Sequence, residues 1–546
     1  MLIADLDYQM STKIFSGNQN FRCAMCGEQG SFGAQYSTQT ACTRLRIFSP
    51  PCPPCITLEA LDRQIAETRA FLAHMEAHRA TVLPDINASH DPLTDLLPTE
   101  IASRIFVSCM YDLEEGEELD HHVPLTLSSV SRRWRDIARS TAPLWAYVRV
   151  GLDSVGNQQE YQEILHQWLS RSRGFPLSVV VHVKYCDPND TKKWAFCRTI
   201  IRILNAHSSR WTDLCVIMPL HLITILDGRA PNLRQLSITP PYSLEDYSGP
   251  AYFCVSIPYP APNTVFLTQC RLENFKIEWQ NVTKVTLSAI LINECLEVFK
   301  MAPLLQECAL YDVEESPVVV SYPETPIILE HLTTMDVEVT TSSTSLFFDN
   351  IVAPSLNSLF YRGDKQSLNP LTSLVRRSSC QIKSLTVYEF DPVEHEAELC
   401  ELLWALPALE SLGLSSIYLS NEIFELLSRS AQVPGEEGQK ETQFLPLLRK
   451  LRIRVPAGPP RFSWSAVRST IQTQLFLERF HLDVRVDKGD KGCYIDEASL
   501  DFFQRLVDGG FHMSIWNERW VGSHDVIAYS RDYYAGRKMP LTITGA

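Results

Sequence analysis

The sequence predicts an α/β chain in which an N-terminal helix and a small helical module precede a long array of strand and helix repeats. Three observations predict it. An apolar signature (apolar, two variable positions, apolar, one variable position, apolar) recurs along the C-terminal part of the chain. Its anchors step by the length of one strand-plus-helix unit. Ahead of it lie stretches whose apolar residues repeat at helical spacing.

Residues 1–56 are rich in Ser, Gln, Thr and Gly and show no sustained period, so they are expected to lack stable structure. Cys23-Ala-Met-Cys26 and Cys52-Pro-Pro-Cys55 would supply the four thiolates of a zinc ribbon. The segment between them is 25 residues long, carries no hairpin pattern and ends in Pro50-Pro51, so no metal is assigned to them. Residues 57–84 read as a helix, with Leu58, Leu61, Ile65, Leu72, Met75 and Val82 three and four apart around polar Thr68 and Arg79. That short heptad seam is read as a single helix packed beside the next module, with self-association as the alternative. Pro84 is expected to close it, and residues 85–96 to form a polar linker.

Residues 97–147 form the small module. Pro98 suits a helix start, because a first-turn proline loses no intrahelical hydrogen bond. Ile101, Ile105, Phe106 and Cys109 then share one face, and Leu127, Val130, Trp134 and Ile137 make a second stripe. Two helices and a Pro143-Leu144-Trp145 turn are too little chain to be self-sufficient, so the module calls for a partner. The acidic run from Asp112 to His122 reads as a solvated loop, and His121 and His122 alone do not make a metal site.

Residues 148–520 carry the repeats. Phe175–Val183 reads as a strand and Lys192–Leu204 as an amphipathic helix. The signature then begins at Trp211, Leu233, Leu272, Val282 and Leu305, with a degenerate copy at Leu329 and Leu332. It resumes at Leu356, Ile382, Leu409, Leu448 and Leu477. From Val282 to Leu409 the steps are 23, 24, 27, 26 and 27 residues, the leucine-rich-repeat period. Proline two positions before the first anchor recurs at Pro231, Pro303, Pro354, Pro407 and Pro446, ending each incoming helix. No such unit buries its apolar face alone, so stability comes from stacking. Residues 240–250 and 431–442 read as exposed insertions, Ala498–Trp520 as a cover for the open end of the core, and 521–546 as a tail.

The formal charge of −15 and pI near 5.5 argue against broad nucleic-acid binding, which needs clustered Lys and Arg. The longest apolar run, Leu214–Leu226, is too short to span a bilayer, and Met1-Leu-Ile-Ala-Asp has no basic start of an export signal. The expected location is cytoplasmic, nuclear or both. Cys109, Cys215, Cys295 and Cys400 lie in apolar segments, where cysteine acts as a small hydrophobe. No phosphate-binding loop, HExxH pair or Gly-x-Ser-x-Gly elbow appears. His166, His182, His207 and His331, with Trp279 and Trp404, read as packing residues, so no catalytic residue and no cofactor is assigned.

Leu97-Pro98-Thr99-Glu100-Ile101, followed by Val130-Ser-Arg-Arg-Trp134-Arg-Asp-Ile137-Ala138 and Pro143-Leu144-Trp145, resembles an F-box. With the repeats, the chain resembles large fungal F-box proteins that carry leucine-rich-repeat-like C-terminal domains. The acidic run at 112–122 departs from the shortest members of that family. The resemblance implies a non-catalytic substrate-recognition subunit of a Skp-cullin-F-box ubiquitin ligase. In that role the F-box docks on a Skp-type adaptor, which joins it to a cullin-RING ligase, and the solenoid binds an unknown protein substrate. It assigns Leu97, Pro98, Ile101, Ile105, Phe106, Leu127, Val130, Trp134, Ile137, Leu144 and Trp145 to adaptor contact or F-box core, without separating the two roles. The competing reading is a repeat scaffold that takes no part in a ligase.

Overall fold

The computed structural model describes residues 21–22, 29–30, 53–89, 91–110, 122–153, 156–183, 190–227, 229–241, 259–272, 276–316, 322–339, 344–363, 367–388, 392–415, 419–429, 444–455, 461–474, 476–484, 494–518 and 523–536. The acidic run at 112–121, the insertion at 431–442, and Cys23, Cys26 and Cys52 fall outside them. Two compact units divide the chain, Met1–Leu204 and Asn205–Ala546.

In the first unit a helix, α1, spans Pro53–Ser89 and takes Cys55 into its first turn. Contrary to expectation it continues through Pro84 and replaces the first part of the linker. A proline inside a helix costs about 3 kcal/mol through one lost bond and a clash, and nothing in the structure explains why the helix runs on. The helix touches the module at Arg132–Ser140, but the seam does not pack there: Leu58, Leu61, Ile65, Leu72, Met75 and Val82 are all exposed. The rest of the expected linker contains a further short helix, α2 (Pro92–Leu96).

The module comprises α3 (Thr99–Ser108), α4 (Val123–Val130), α5 (Arg132–Ser140) and a 3-10 turn, Ala142–Trp145. The second apolar stripe, expected as one helix, is two. Ser131 is extended (φ −151°, ψ 169°), and its hydroxyl accepts the Trp134 N–H at 3.1 Å, which stops α4 and caps α5. Ala102, Phe106, Met110, Leu127, Ile137, Ala138, Leu144 and Trp145 form the core. Trp145 Nε1 donates to the Ala138 carbonyl at 2.8 Å, so the indole is buried with its polar atom satisfied. Beyond it come β1 (Tyr147–Gly151), α6 (Gln158–Arg171), β2 (Leu177–His182) and α7 (Thr191–Asn205). β1 and β2 run parallel, with Val148 opposite Val179 and Val150 opposite Val181. Tyr147 and Trp168 join the module's core, which therefore reaches past residue 147.

The second unit is an open, mostly parallel α/β sheet. Its strands are β3 (Trp211–Ile217), β4 (Gln235–Thr239), β5 (Thr264–Thr268), β6 (Lys284–Leu291), β7 (Glu307–Glu314), β8 (Thr334–Val339) and β9 (Ser358–Gly363). They continue as β10 (Ser384–Tyr388), β11 (Ser411–Ser415), β12 (Lys450–Val455), β13 (Arg479–Val484), β14 (His512–Glu518) and β15 (Ser523–Asp525). Each pairs with the next in the chain, and all but β15 are parallel to their neighbours.

The register explains the signature. Its second apolar residue forms one row across the sheet: Leu214, Leu236, Val265, Val285, Cys308, Met335, Leu359, Leu385, Leu412, Leu451, Phe480 and Met513. Its third forms the parallel row from Val216 to Ile515, buried throughout. Because side chains alternate across a strand, the single variable position between them points to the opposite face.

Most of the signatures expected from sequence lie on strands; two do not. The copy placed at Leu272–Ile277 is no strand in its described residues, and the strand is β5, whose first anchor position is Pro262 rather than a leucine. The degenerate copy shifts by three, to Leu332-x-x-Met335-x-Val337, where Met335 pairs with Cys308 and Leu359. At the C-terminal end, Ala498–Trp520 is not a separate cover but one more helix and strand. The sheet ends at antiparallel β15, within the expected tail, followed by a helix, Val526–Tyr534, that buries Val526, Ile527 and Ser530.

Helices return along the buried face. Ile292–Met301 buries Ile292, Cys295, Leu296, Val298 and Phe299. Side chains on later helices donate to backbone carbonyls of earlier ones. Thr470 Oγ1 and Gln474 Nε2 donate to the carbonyls of Phe424 and Leu427 at 2.9 and 2.8 Å, and Arg377 Nη2 to that of Phe348 at 2.6 Å. No helix among the described residues is long and apolar enough to cross a membrane.

Candidate functional site

Two surfaces carry exposed side chains that the fold itself does not use, one on each unit. On the first unit, the residues singled out from sequence separate into two groups. Phe106, Leu127, Ile137, Leu144 and Trp145 are interior. Trp134 is half-buried, its ring 4.9 Å from that of Phe106. Ile101, Ile105 and Val130 are 40, 37 and 48% exposed, Leu97 is half-buried and Pro98 is exposed. Leu96, which sequence reasoning missed, is 79% exposed at the end of α2. An exposed apolar set of this kind beside a complete core is a candidate docking surface.

Hydrogen bonds fix how that set is presented. Trp134 Nε1 donates to Asp91 Oδ2 at 2.7 Å, and the other oxygen of the same carboxylate accepts the Leu93 N–H at 3.2 Å. Arg133 Nη1 lies 2.6 Å from Asp95 Oδ1. α2 is thereby tied to α5, and the chain enters Leu96-Leu97-Pro98 from a fixed direction. Pro98 (φ −58°, ψ 150°) then starts α3, setting Ile101 and Ile105 one turn apart on one side.

On the second unit the sheet's outward face changes character from strand to strand. Across β6 to β8 it presents Lys284 paired with Glu307 at 2.7 Å, and Tyr311 donating to Asp336 Oδ2 at 2.9 Å. Burial raises the Asp336 carboxyl above its ordinary range, and burial beside that carboxylate pushes Tyr311 up to about 12. β9 and β10 present Phe360 and Tyr388, stacked at 4.9 Å. The Arg362 guanidinium lies 6.0 and 5.6 Å from the two ring centres and bonds Glu338 at 2.8 Å. β11 presents only Ser411, Gly413 and Ser415, so the face is shallow there. A Cβ on Gly413 would come within 2.9 Å of the Thr386 side chain. β12 to β14 then present Lys450, Arg452, Arg454, Arg479, His481 and His512. The result is a groove of roughly 840 Å³ with an aromatic wall, a floor of small residues and a cationic wall.

Asp483 lies on the cationic wall, buried, 3.5 Å from Arg452 Nη2 and with Oδ1 2.9 Å from His481 Nε2. His481 Nδ1 meets Ser514 Oγ at 2.5 Å. Serine, histidine and aspartate are thus in contact, but with the imidazole reversed relative to a hydrolase triad, where Nε2 faces the serine and Nδ1 the carboxylate. Here the contacts lock the imidazole across two strands and balance part of the positive charge. Among the described residues no group of three or more His, Cys, Asp and Glu is placed to hold a metal ion.

The groove was missed in sequence, although its signal is present. Phe360, Thr386, Gly413, Arg452 and His481 each occupy the single variable position between the second and third apolar residues of their signature, and Ser514 pairs with His481 from β14, where no signature is legible. Stacking the repeats on their leucines would have put the first five side by side. No family model matches the chain and no curated protein matches it.

Proposed function

We propose that the chain is a non-catalytic substrate-recognition subunit of a Skp-cullin-F-box type ubiquitin ligase. In this reading α2 to α5 and the Ala142–Trp145 turn are an F-box that docks on a Skp-type adaptor. The repeats are a leucine-rich-repeat-like solenoid whose outward face receives a protein substrate. The observation that supports it best is the division of the module's apolar residues. Phe106, Leu127, Ile137, Leu144 and Trp145 already complete a core, while Leu96, Ile101, Ile105 and Val130 stand in water. Desolvating such a set on a partner is worth about 25 cal/mol per Å² before the costs of association. The contribution to catalysis is proximity, holding cargo at high local concentration beside a charged conjugating enzyme.

Co-purification from a eukaryotic extract with a Skp-type adaptor and a cullin tests this. Replacing Leu97 and Pro98 together with alanine should abolish recovery of both while the repeat unit keeps its cooperative unfolding. Wild-type protein that recovers neither defeats the ligase reading and leaves a repeat scaffold outside any ligase.

A further inference from the structure

The seam of α1 is a row of large apolar side chains with nothing packed over it among the described residues. Leu58, Leu61, Ile65, Leu72, Met75, Val82 and Ile86 are 40–57% exposed along a helix of 37 residues, roughly 55 Å long. They follow a heptad in which Leu58, Ile65, Leu72, Arg79 and Ile86 are a positions and Leu61, Thr68, Met75, Val82 and Ser89 are d positions. Pro84 falls at an f position, on the side away from the seam.

We propose that α1 pairs with α1 of a second copy of this chain as an antiparallel two-stranded coiled coil, its two-fold axis passing between Ala73 and His74. Polarity and charge select both the occupant and the register. In antiparallel pairs each a residue meets a d residue of the other helix. With this centre Leu72 meets Met75, Ile65 meets Val82 and Ile86 meets Leu61, while polar Arg79 and Thr68 meet each other and Leu58 meets Ser89 at the ends of the seam. Flanking e positions face e positions, so Arg69 faces Glu76 of the second copy, twice by symmetry. Arg69 has no acidic residue three or four positions away on its own helix, so the second copy supplies the opposite charge.

The neighbouring registers fail on the same count. Sliding by one heptad in one direction puts Arg69 against Arg69 and Asp62 against Glu76, and sets Thr68 opposite Leu72. Sliding in the other puts Glu76 against Glu76, and Arg79 opposite Met75. A parallel, in-register pair stacks Arg79 on Arg79 inside the seam. Like charges at such contacts oppose association, so one arrangement is left in which every apolar seam residue but Leu58 meets an apolar partner and opposite charges meet. A dimer of this kind carries two modules and two outward sheet faces, and it stands whether or not the ligase reading holds.

Sedimentation equilibrium on the full-length chain tests it. Wild type should be a dimer, and Arg69→Glu or Glu76→Arg should each weaken it roughly tenfold, because each turns two attractive contacts into two repulsive ones. Arg69→Glu combined with Glu76→Arg should restore wild-type affinity. Thermal unfolding of the unit from Asn205 to Ala546 should be the same for all four proteins, since both residues are exposed and lie outside it. A monomeric wild type overturns the proposal, as does a dimer that the single changes do not weaken. A double variant as weak as the singles overturns the antiparallel register, because in a parallel pair Arg69 and Glu76 face Gln64 and Phe71.

Discussion

Replacing Trp134 with phenylalanine should release the segment that carries Leu96 and Leu97 while leaving the rest of the module folded. Phenylalanine keeps an aromatic ring against Phe106, 4.9 Å away in the parent, but loses the Nε1–H that reaches Asp91 Oδ2 at 2.7 Å. Asp91 is buried, so its carboxylate loses a donor that water does not readily replace. A hydrogen bond to a charged group in that setting is worth about 1.5–3 kcal/mol. The Arg133–Asp95 pair, with both side chains about half exposed, holds the same segment by under about 1 kcal/mol, so the indole bond decides. Native-state hydrogen exchange reads the result at two amides bonded within the segment, Asp95 N–H to the Asp91 carbonyl and Leu97 N–H to the Leu93 carbonyl. Their protection should fall roughly 10- to 150-fold, the same energy expressed as an opening equilibrium. Amides of α3 and its cap, such as Ala102 and Cys109, should keep theirs. Asp91→Asn, with one carbonyl oxygen in place of two, should give a smaller loss in the same place. A change under about threefold at Asp95 and Leu97, or an equal loss throughout α3, refutes the reasoning.

Three further outcomes follow from the second unit. Gly363→Ala should cost about 1–3 kcal/mol in denaturant unfolding, because a Cβ there would lie 2.6 Å from Cζ of the fully buried Tyr361. The cost should shrink in a Tyr361→Leu background, and strict additivity would count against the clash. Cys295 and Cys308 are wholly interior with thiol pKa values pushed far up by burial, so iodoacetamide at pH 8 should label them only after unfolding; labelling of the native protein within minutes contradicts this. Asp336 has a carboxyl pKa raised by burial, so its neutral form is favoured by folding. That stabilisation is complete below the unfolded value near 3.9 and is lost as pH rises through the folded value. Asp336→Asn, which keeps an acceptor for the Tyr311 hydroxyl, should therefore raise the unfolding temperature at pH 7 and converge with wild type by about pH 3. An equal shift at both pH values would show that ionisation is not the cause.

The strands were legible because a parallel repeat imposes the same demand at each step. A residue such as Leu385 must be apolar for contact with Leu359 on one side and Leu412 on the other, so the pattern is written in the chain itself. Reading failed where one anchor was missing, as with Pro262 ahead of β5, or where two leucines competed, as with Leu329 and Leu332 ahead of β8. The break at Ser131 was hidden because an apolar stripe can carry across a cap without changing period. Pro84 misled for the opposite reason, since local propensity argued for a stop and the helix runs through it.

The α/β class, most of the strands, most of the apolar rows of the sheet and the heptad of α1 are legible in the sequence, because they depend on spacing along the chain. Tertiary structure alone decided which apolar residues of the module are core and which face water, because Phe106 and Ile105 are adjacent in sequence and opposite in exposure. It also decided that Phe360, Gly413, Arg452 and His481 share a surface. The reason is that side-chain period tells which residues share a face of one element, whereas burial and convergence depend on what other elements bring against that face.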